Sequence, residues 1–85
     1  MADIRTEHVN RLCKEIMDLY TNIDLNFEDN VDRGILKFYA MNTKNGFTLY
    51  KTMLYEEFNA VKLDQDAHIK SIFTKMIQQL GGRLK

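Results

Sequence analysis

The N-terminal segment carries apolar residues at the 3.6-residue spacing of a helix. At 100° per residue, its apolar side chains gather on one side and its charged and amide side chains on the other. The apolar side consists of Val9, Leu12, Cys13, Ile16, Met17, Leu19 and Tyr20. Asp3 or Thr6 can cap the first turn, because either side chain can accept hydrogen bonds from exposed backbone amides. The pattern predicts an amphipathic helix that ends near Tyr20 and buries one stripe.

After this helix the apolar period changes to two. Between residues 22 and 28, polar side chains alternate with the apolar Ile23, Leu25 and Phe27, which is typical of a half-buried strand. Residues 28–34 are rich in Asp and Asn and end in a glycine that can take a positive φ. These residues therefore predict a loop.

Two more strands are predicted on either side of the dipeptide Asn45-Gly46. Residues 35–42 and 47–54 are rich in β-branched and aromatic side chains. Asn-Gly between two such runs indicates a hairpin with a two-residue type I′ turn. In that register Met41 lies directly opposite Tyr50.

This register divides the side chains of the hairpin between two faces. The face expected on the core holds Leu36, Phe38, Ala40, Asn42, Phe47, Leu49, Lys51 and Met53. The opposite face holds Ile35, Lys37, Tyr39, Met41, Thr48, Tyr50, Thr52 and Leu54. Because the first set is mostly large and apolar, we expect it to be buried and the second set to face solvent.

The last third of the chain predicts a second long helix after an ambiguous segment. Residues 55–63 fit either a short helical turn containing Phe58 and Val61 or an alternating strand over 59–63, and we expect a short helix or an irregular connection. The long helix is capped by Asp64 or Asp66 and ended by Gly81-Gly82. Its apolar arc consists of Ile69, Ile72, Phe73, Met76, Ile77 and Leu80.

Together these elements predict one compact α+β domain over residues 1–85. It comprises a helix, a three-stranded antiparallel meander and a second helix, with both helices packed on one face of the sheet. A chain of this length is too short for a second core or a deep cavity, so we expect no cofactor and no small-molecule substrate. At the two turns, Gly46→Val is expected to destabilise the domain and Gly82→Val to be nearly neutral.

Charge and cysteine usage narrow the class of protein. The 12 basic and 12 acidic residues give a net charge of zero. Residues 1–33 nevertheless carry mostly acidic charges and the remainder mostly basic ones, so a partner can recognise one region by its charge. The lone cysteine cannot form an internal disulfide, which suits a reducing compartment. We find no export signal at the polar N-terminus and no apolar run long enough to cross a bilayer. We therefore expect a cytoplasmic protein that does not bind membrane.

No group of residues amounts to a catalytic or metal-binding signature. Cys13 can in principle pair with His8 or His68, but a thiol on a buried stripe is inert. Both histidines are expected to be exposed, with no second ligand at metal spacing. The acidic run 28–32 lacks the ligand spacing of a calcium loop, so a solvated turn is expected. We predict a protein that is not an enzyme and has no catalytic residues and no metal.

The outer face of the hairpin is the candidate partner-binding site, centred on Lys37, Tyr39, Met41, Tyr50 and Thr52. Tyr and Met are enriched in protein interfaces, so our first hypothesis is a small protein-interaction module. It self-associates or binds a larger partner through this face or an unpaired sheet edge. Small chains without an active site often act as regulators or inhibitors, including ones encoded by phages.

Two other interpretations of the same face stay open. In the alternative hypothesis the protein binds single-stranded nucleic acid, with bases stacked on Tyr39 and Tyr50 and phosphates along Lys37 and Lys44. In the third interpretation these residues are ordinary cross-strand pairs on a solvated face. Binding to phosphate must weaken steeply with salt, whereas an apolar interface should not.

Overall fold

The computed structural model describes residues 6–60 and 64–85. In chain order, the elements in these ranges are α1 (Thr6–Leu19), β1 (Tyr20–Thr21), β2 (Ile23–Asn30), β3 (Ile35–Asn42), β4 (Thr48–Leu54), α2 (Tyr55–Ala60), α3 (Gln65–Gln79) and β5 (Arg83–Leu84). The predicted α+β class with an antiparallel meander β2-β3-β4 is confirmed. Within the described ranges, no helix combines the length and apolar character needed to span a membrane.

Both long helices pack against the same face of the sheet. α1 lies mainly against β2, α3 lies against β3, and the two helices contact each other. The buried core consists of Val9, Leu12, Cys13, Ile16, Ile23, Leu25, Phe27, Leu36, Phe38, Ala40, Met53, Phe58, Ile69, Ile72, Phe73, Met76, Ile77 and Leu80. Alternate strand residues and one stripe of each helix are buried, as the two sequence periods predict.

The loop between β3 and β4 differs from the predicted type I′ turn. Residues 43–46 form the loop, in which the Asn42 amide donates to the Phe47 carbonyl and the Gly46 amide donates to the Asn42 carbonyl, both at 2.8 Å. The side chains of Asn42 and Asn45 each accept from a backbone amide at 3.0 Å, which stabilises this longer loop. Gly46 has the predicted positive φ of 79°, but Asn45 does not have the positive φ that a type I′ turn requires.

The predicted pairing of β3 with β4 is therefore wrong by two residues. Tyr39 lies opposite Tyr50, and Met41 lies opposite Thr48 instead of Tyr50. Because successive side chains of a strand alternate between faces, a shift of two leaves every side chain on its predicted face.

β2 is longer than the predicted strand. Asp29 and Asn30 lie opposite Leu36 and Ile35 in the ladder, so the predicted loop over residues 28–34 is wrong in its first half. The turn propensity of Asp and Asn is overridden because the neighbouring strand satisfies their backbone groups.

Two apolar side chains predicted in the core are instead exposed. Leu19 is 58% exposed and Phe47 is 66% exposed. Both lie where an element ends, since Leu19 is the last residue of α1 and Phe47 precedes β4. The apolar pattern continues there past the point at which the backbone turns away from the core.

The segment after β4 forms the predicted short helix. Phe58 of α2 is buried in the core, whereas Val61 lies outside the described residues. Asp64 caps α3 by accepting from the Ala67 amide at 3.3 Å, and Gly81 follows the helix with a φ of 72°. Of the two predicted caps, the structure thus uses Asp64.

β1 and β5 form a two-stranded ladder that the sequence pattern does not predict. It connects the end of α1 to the segment after α3. β1 and β5 pair antiparallel, with Tyr20 opposite Leu84. The Lys85 amide donates to the Leu19 carbonyl at 2.9 Å. Strands of two residues are too short to show a period, so this ladder has no signal in the sequence.

Gly82 is packed against the core, and the expectation that it tolerates valine is wrong. A β-carbon at Gly82 would lie 2.3 Å from Ile77 Cγ2 and 3.1 Å from Ile23 Cδ1. Around Gly46, by contrast, no described residue other than its chain neighbours has an atom within 4 Å of the position of an added β-carbon. Gly82 is thus required for close approach, and Gly46 for its backbone angle.

Candidate binding surface

The five candidate residues share the face of the sheet opposite the helices. Lys37, Tyr39 and Met41 occupy alternate positions of β3, and Tyr50 and Thr52 occupy alternate positions of β4. Their neighbours in each strand, such as Phe38, point into the core, so the strand alternation turns the candidate residues outward. Lys37 lies opposite Thr52 and Tyr39 opposite Tyr50.

Two tyrosines and a methionine form the centre of this surface. The rings of Tyr39 and Tyr50 pack at a centroid distance of 5.1 Å and an interplanar angle of 59°. The Tyr39 hydroxyl donates to Met41 Sδ at 3.5 Å. Tyr39 and Met41 are half-buried, but Tyr50 is 72% exposed. The two rings thus form a tilted cross-strand pair, and most of the Tyr50 ring stays exposed to solvent.

β2 adds polar groups that border the aromatic centre. Lys37 Nζ lies 3.9 Å from Glu28 Oε2 across the β2–β3 ladder, and Asn26 lies opposite Tyr39. An open cleft of about 240 Å³ beside the tyrosines is lined by Asn26, Phe27, Glu28, Lys37, Tyr39 and Tyr50. Asn26 and Glu28 are not among the five residues predicted from the sequence. The alternation of apolar and polar residues along β2 is the signal that could have placed both on the solvent-facing side.

The acidic end of β2 is held by a contact to α2. The Tyr55 hydroxyl donates to Asp29 Oδ1. The Asp29 carboxylate, together with a smaller effect of burial, raises the pKa of Tyr55 to about 12. Among the described residues, no three His, Cys, Asp or Glu side chains lie close enough together to hold a metal ion. Asp29 thus serves as a hydrogen-bond acceptor in this structure.

His8 is half-exposed, whereas His68 contradicts the expectation of exposure. His8 Nε2 lies 2.6 Å from Asp66 Oδ1, which connects α1 to the start of α3. His68 is buried, and its ring stacks on Phe58 with a centroid distance of 4.7 Å. The sequence pattern does not reveal these two contacts, because each histidine contacts a residue from a different element of the chain.

Cys13 lies on the buried stripe of α1, as the helical period predicts. Its side chain is 3% exposed, and burial raises the pKa of the thiol to about 11. A thiol that stays protonated at neutral pH is a poor nucleophile. This environment gives Cys13 a packing role.

We expect the stability of the domain to fall in mild acid because of His68. Burial, with smaller effects of Lys75 and Lys51, lowers the pKa of His68 below its ordinary value of 6.5. The unfolded chain then binds a proton that the folded chain does not, so stability is full above about pH 6.5 and falls as the pH drops below it.

Urea unfolding of wild type and His68→Phe between about pH 8 and pH 5 measures this effect. The variant keeps a ring against Phe58 and shares all other titrating groups. The free energy of unfolding of the wild type should decline relative to that of the variant as the pH falls. Parallel curves for the two proteins would contradict the assignment.

The chain matches no protein-family model, no curated protein and no solved structure.

Proposed function

We propose that this protein is a small non-enzymatic protein-interaction module that binds its partner through the outer face of the hairpin. The site is centred on Tyr39, Met41 and Tyr50, with Lys37 and Thr52 at its border. The observation that carries the proposal is the Tyr39–Tyr50 pair on the face away from the helices, with Tyr50 72% exposed.

The composition of this face supports a protein partner. Tyrosine and methionine are enriched in the buried centres of interfaces, where a large ring contributes contact area at a low cost in conformational entropy. The rim is polar, with Lys37 beside Glu28, as interface rims commonly are. A centre and rim of this kind fit a regulator or inhibitor of a larger protein, or a chain that self-associates.

Binding of single-stranded nucleic acid is the alternative for the same face. Its aromatic and basic residues suit base stacking and phosphate contact, but Asp24 and Glu28 are exposed on the neighbouring strand and repel phosphate. Titration with a single-stranded oligonucleotide at low and moderate salt distinguishes the two functions. Tight binding that weakens steeply with salt would favour the alternative.

The double variant Tyr39→Ala with Tyr50→Ala should abolish partner binding while the domain stays folded. A hot-spot residue contributes about 2 kcal/mol or more, which corresponds to a loss in affinity of about 30-fold. The measurements are capture of partners from an extract of the native host, size-exclusion chromatography with light scattering for self-association, and circular dichroism for the fold.

The matched control is Leu19→Ala with Val31→Ala. These two side chains are 58% and 63% exposed but lie outside the proposed site, so their removal should leave binding unchanged. Binding that persists in the folded tyrosine variant would refute this site.

A further inference from the structure

The two edges of the sheet β2-β3-β4 differ in how their backbone groups are used. In an antiparallel ladder, every second residue of an edge strand directs its amide and carbonyl away from the sheet. The Asn42 amide donates to the Phe47 carbonyl, and the Thr43 amide donates to the Asn22 carbonyl. Hydrogen-bonded pairs recur at every second residue from these two, so the residues between them direct their backbone groups outward. On β2 they are Ile23, Leu25, Phe27 and Asp29. On β4 they are Thr48, Tyr50, Thr52 and Leu54.

Side chains cap two of the four outward amides of β2. The Leu25 amide donates to Met17 Sδ at 3.3 Å, and the Phe27 amide donates to Asn26 Oδ1 at 2.8 Å. The exposed side chains of this strand are polar, namely Asp24, Asn26 and Glu28. Caps on the amides and charges on the strand both oppose the addition of another strand.

The edge of β4 has no such caps from the described residues, and the four residues with outward amides carry no charge. Within residues 6–60 and 64–85, none of its four outward amides donates a hydrogen bond outside the ladder. Tyr50 and Leu54 are 72% and 48% exposed, and Phe47 just before the strand is 66% exposed. Thr48 and Thr52 are exposed and uncharged. Free amides beside uncharged, partly apolar side chains form a template for an added strand.

The hairpin that carries this edge is positively charged, and the acidic first turn of α2 follows only after its last residue. The hairpin from residue 34 to residue 54 contains three lysines and no acidic residue. Lys51 is exposed in the middle of β4. Lys51 lies opposite the buried Phe38 in the ladder, so its side chain is on the inner side of this edge. An added strand therefore meets lysine on its inner face and Tyr50 on its outer face.

A second copy of the chain suits the β4 edge poorly. If two β4 strands pair antiparallel about Tyr50, Lys51 or Thr52, the two Lys51 side chains lie on the same face, directly opposite or on a diagonal. Like charges at these positions destabilise a strand pair, whereas opposite charges stabilise it. The charge pattern favours an acidic partner strand over self-pairing.

We infer that the β4 edge binds an extended acidic segment of a partner protein as a fourth strand of the sheet. Apolar side chains of the segment lie beside Tyr50 and Leu54, and its Asp or Glu side chains lie beside Lys51. This inference rests on the proposed function, because it specifies the partner chemistry for the same hairpin.

The probe is a blocked heptapeptide, Thr-Val-Glu-Val-Glu-Val-Thr, and its control replaces both Glu by Lys. Hydrogen exchange of the protein amides is followed by NMR with each peptide. At a concentration ten times its Kd, a bound strand should slow exchange of the Thr48, Tyr50, Thr52 and Leu54 amides by about tenfold. The lysine peptide at the same concentration should give little protection.

Variants separate strand addition from general attraction between charges. Lys51→Glu should reverse the preference, so that the lysine peptide protects and the glutamate peptide does not. Lys14→Glu, which reverses an exposed charge on α1, should leave the preference unchanged. Thr52→Pro removes an outward amide without removing a bond to β3, and it should abolish protection by either peptide while thermal melting still reports a folded domain.

Three outcomes would contradict the inference, and each one contradicts a different part of it. Equal protection by both peptides would refute the acidic partner. Chemical-shift changes at the side chains of Tyr39 and Met41 without amide protection would refute strand addition but agree with binding at the outer face. If neither peptide acts at millimolar concentration, the inference fails, while loss of partner capture in the Tyr39→Ala, Tyr50→Ala variant still supports the proposed function.

Discussion

Phe38→Ala is expected to lower the free energy of unfolding by about 3 to 5 kcal/mol. The Phe38 side chain is fully buried, and its ring lies 5.2 Å from that of Phe27 and 5.4 Å from that of Phe73. It therefore connects β2, β3 and α3, and its removal leaves a cavity that all three elements line. Urea unfolding followed by circular dichroism measures the loss.

Phe47→Ala is the matched control for this prediction. The same atoms are removed, but Phe47 is 66% exposed at the end of the hairpin loop, so we expect a change within about 0.5 kcal/mol. A loss below about 1 kcal/mol for Phe38→Ala would contradict the predicted burial of the inner hairpin face.

Gly82→Ala is expected to destabilise the domain by about 1 to 3 kcal/mol, and Gly82→Val by more. The added β-carbon would lie 2.3 Å from Cγ2 of Ile77, whose side chain is fully buried. That methyl group is attached to the Ile77 β-carbon and cannot rotate away alone, so the end of α3 or the start of β5 must move. The Gly82 amide also donates to the Ile77 carbonyl at 2.9 Å, and such a movement strains this bond.

A double-mutant cycle with Ile77→Ala tests the cause of this loss. Ile77→Ala removes the methyl group that the new β-carbon would meet, so Gly82→Ala should cost at least about 1 kcal/mol less in that background. Gly46→Ala provides the control, because its cost comes from a φ of 79° in open space and should not depend on Ile77. Additive effects of Gly82→Ala and Ile77→Ala would show that the clash is not the cause.

The outer face and the β4 edge form one continuous surface, because Tyr50 belongs to both. Its side chain packs on Tyr39, and its backbone amide faces the open edge. A partner strand on this edge therefore covers the most exposed ring of the face. In the proposed complex, one partner segment would contact both the backbone groups of β4 and the Tyr50 side chain.

The local pattern of the sequence determined which side chains face the core. The burial of Leu12 and Ile16 on α1, and of Phe38 between Lys37 and Tyr39 on β3, follows from periods of 3.6 and 2 that a short stretch of chain already contains. The outward position of the candidate residues also follows from the pattern, since the two-residue error in the hairpin register does not change any face.

Only the tertiary structure decided the features that depend on a distant partner. His68 is buried where Phe58 stacks on it, and a β-carbon at Gly82 would meet the side chains of Ile77 and Ile23. The hairpin register depends on which amides the Asn42 and Asn45 side chains bind, and the cap on the Leu25 amide of β2 comes from Met17 of α1. A periodic pattern indicates only the side of a helix or strand on which each side chain lies. It does not indicate which side chains of other elements will be in contact with it, because those contacts form when the whole chain packs.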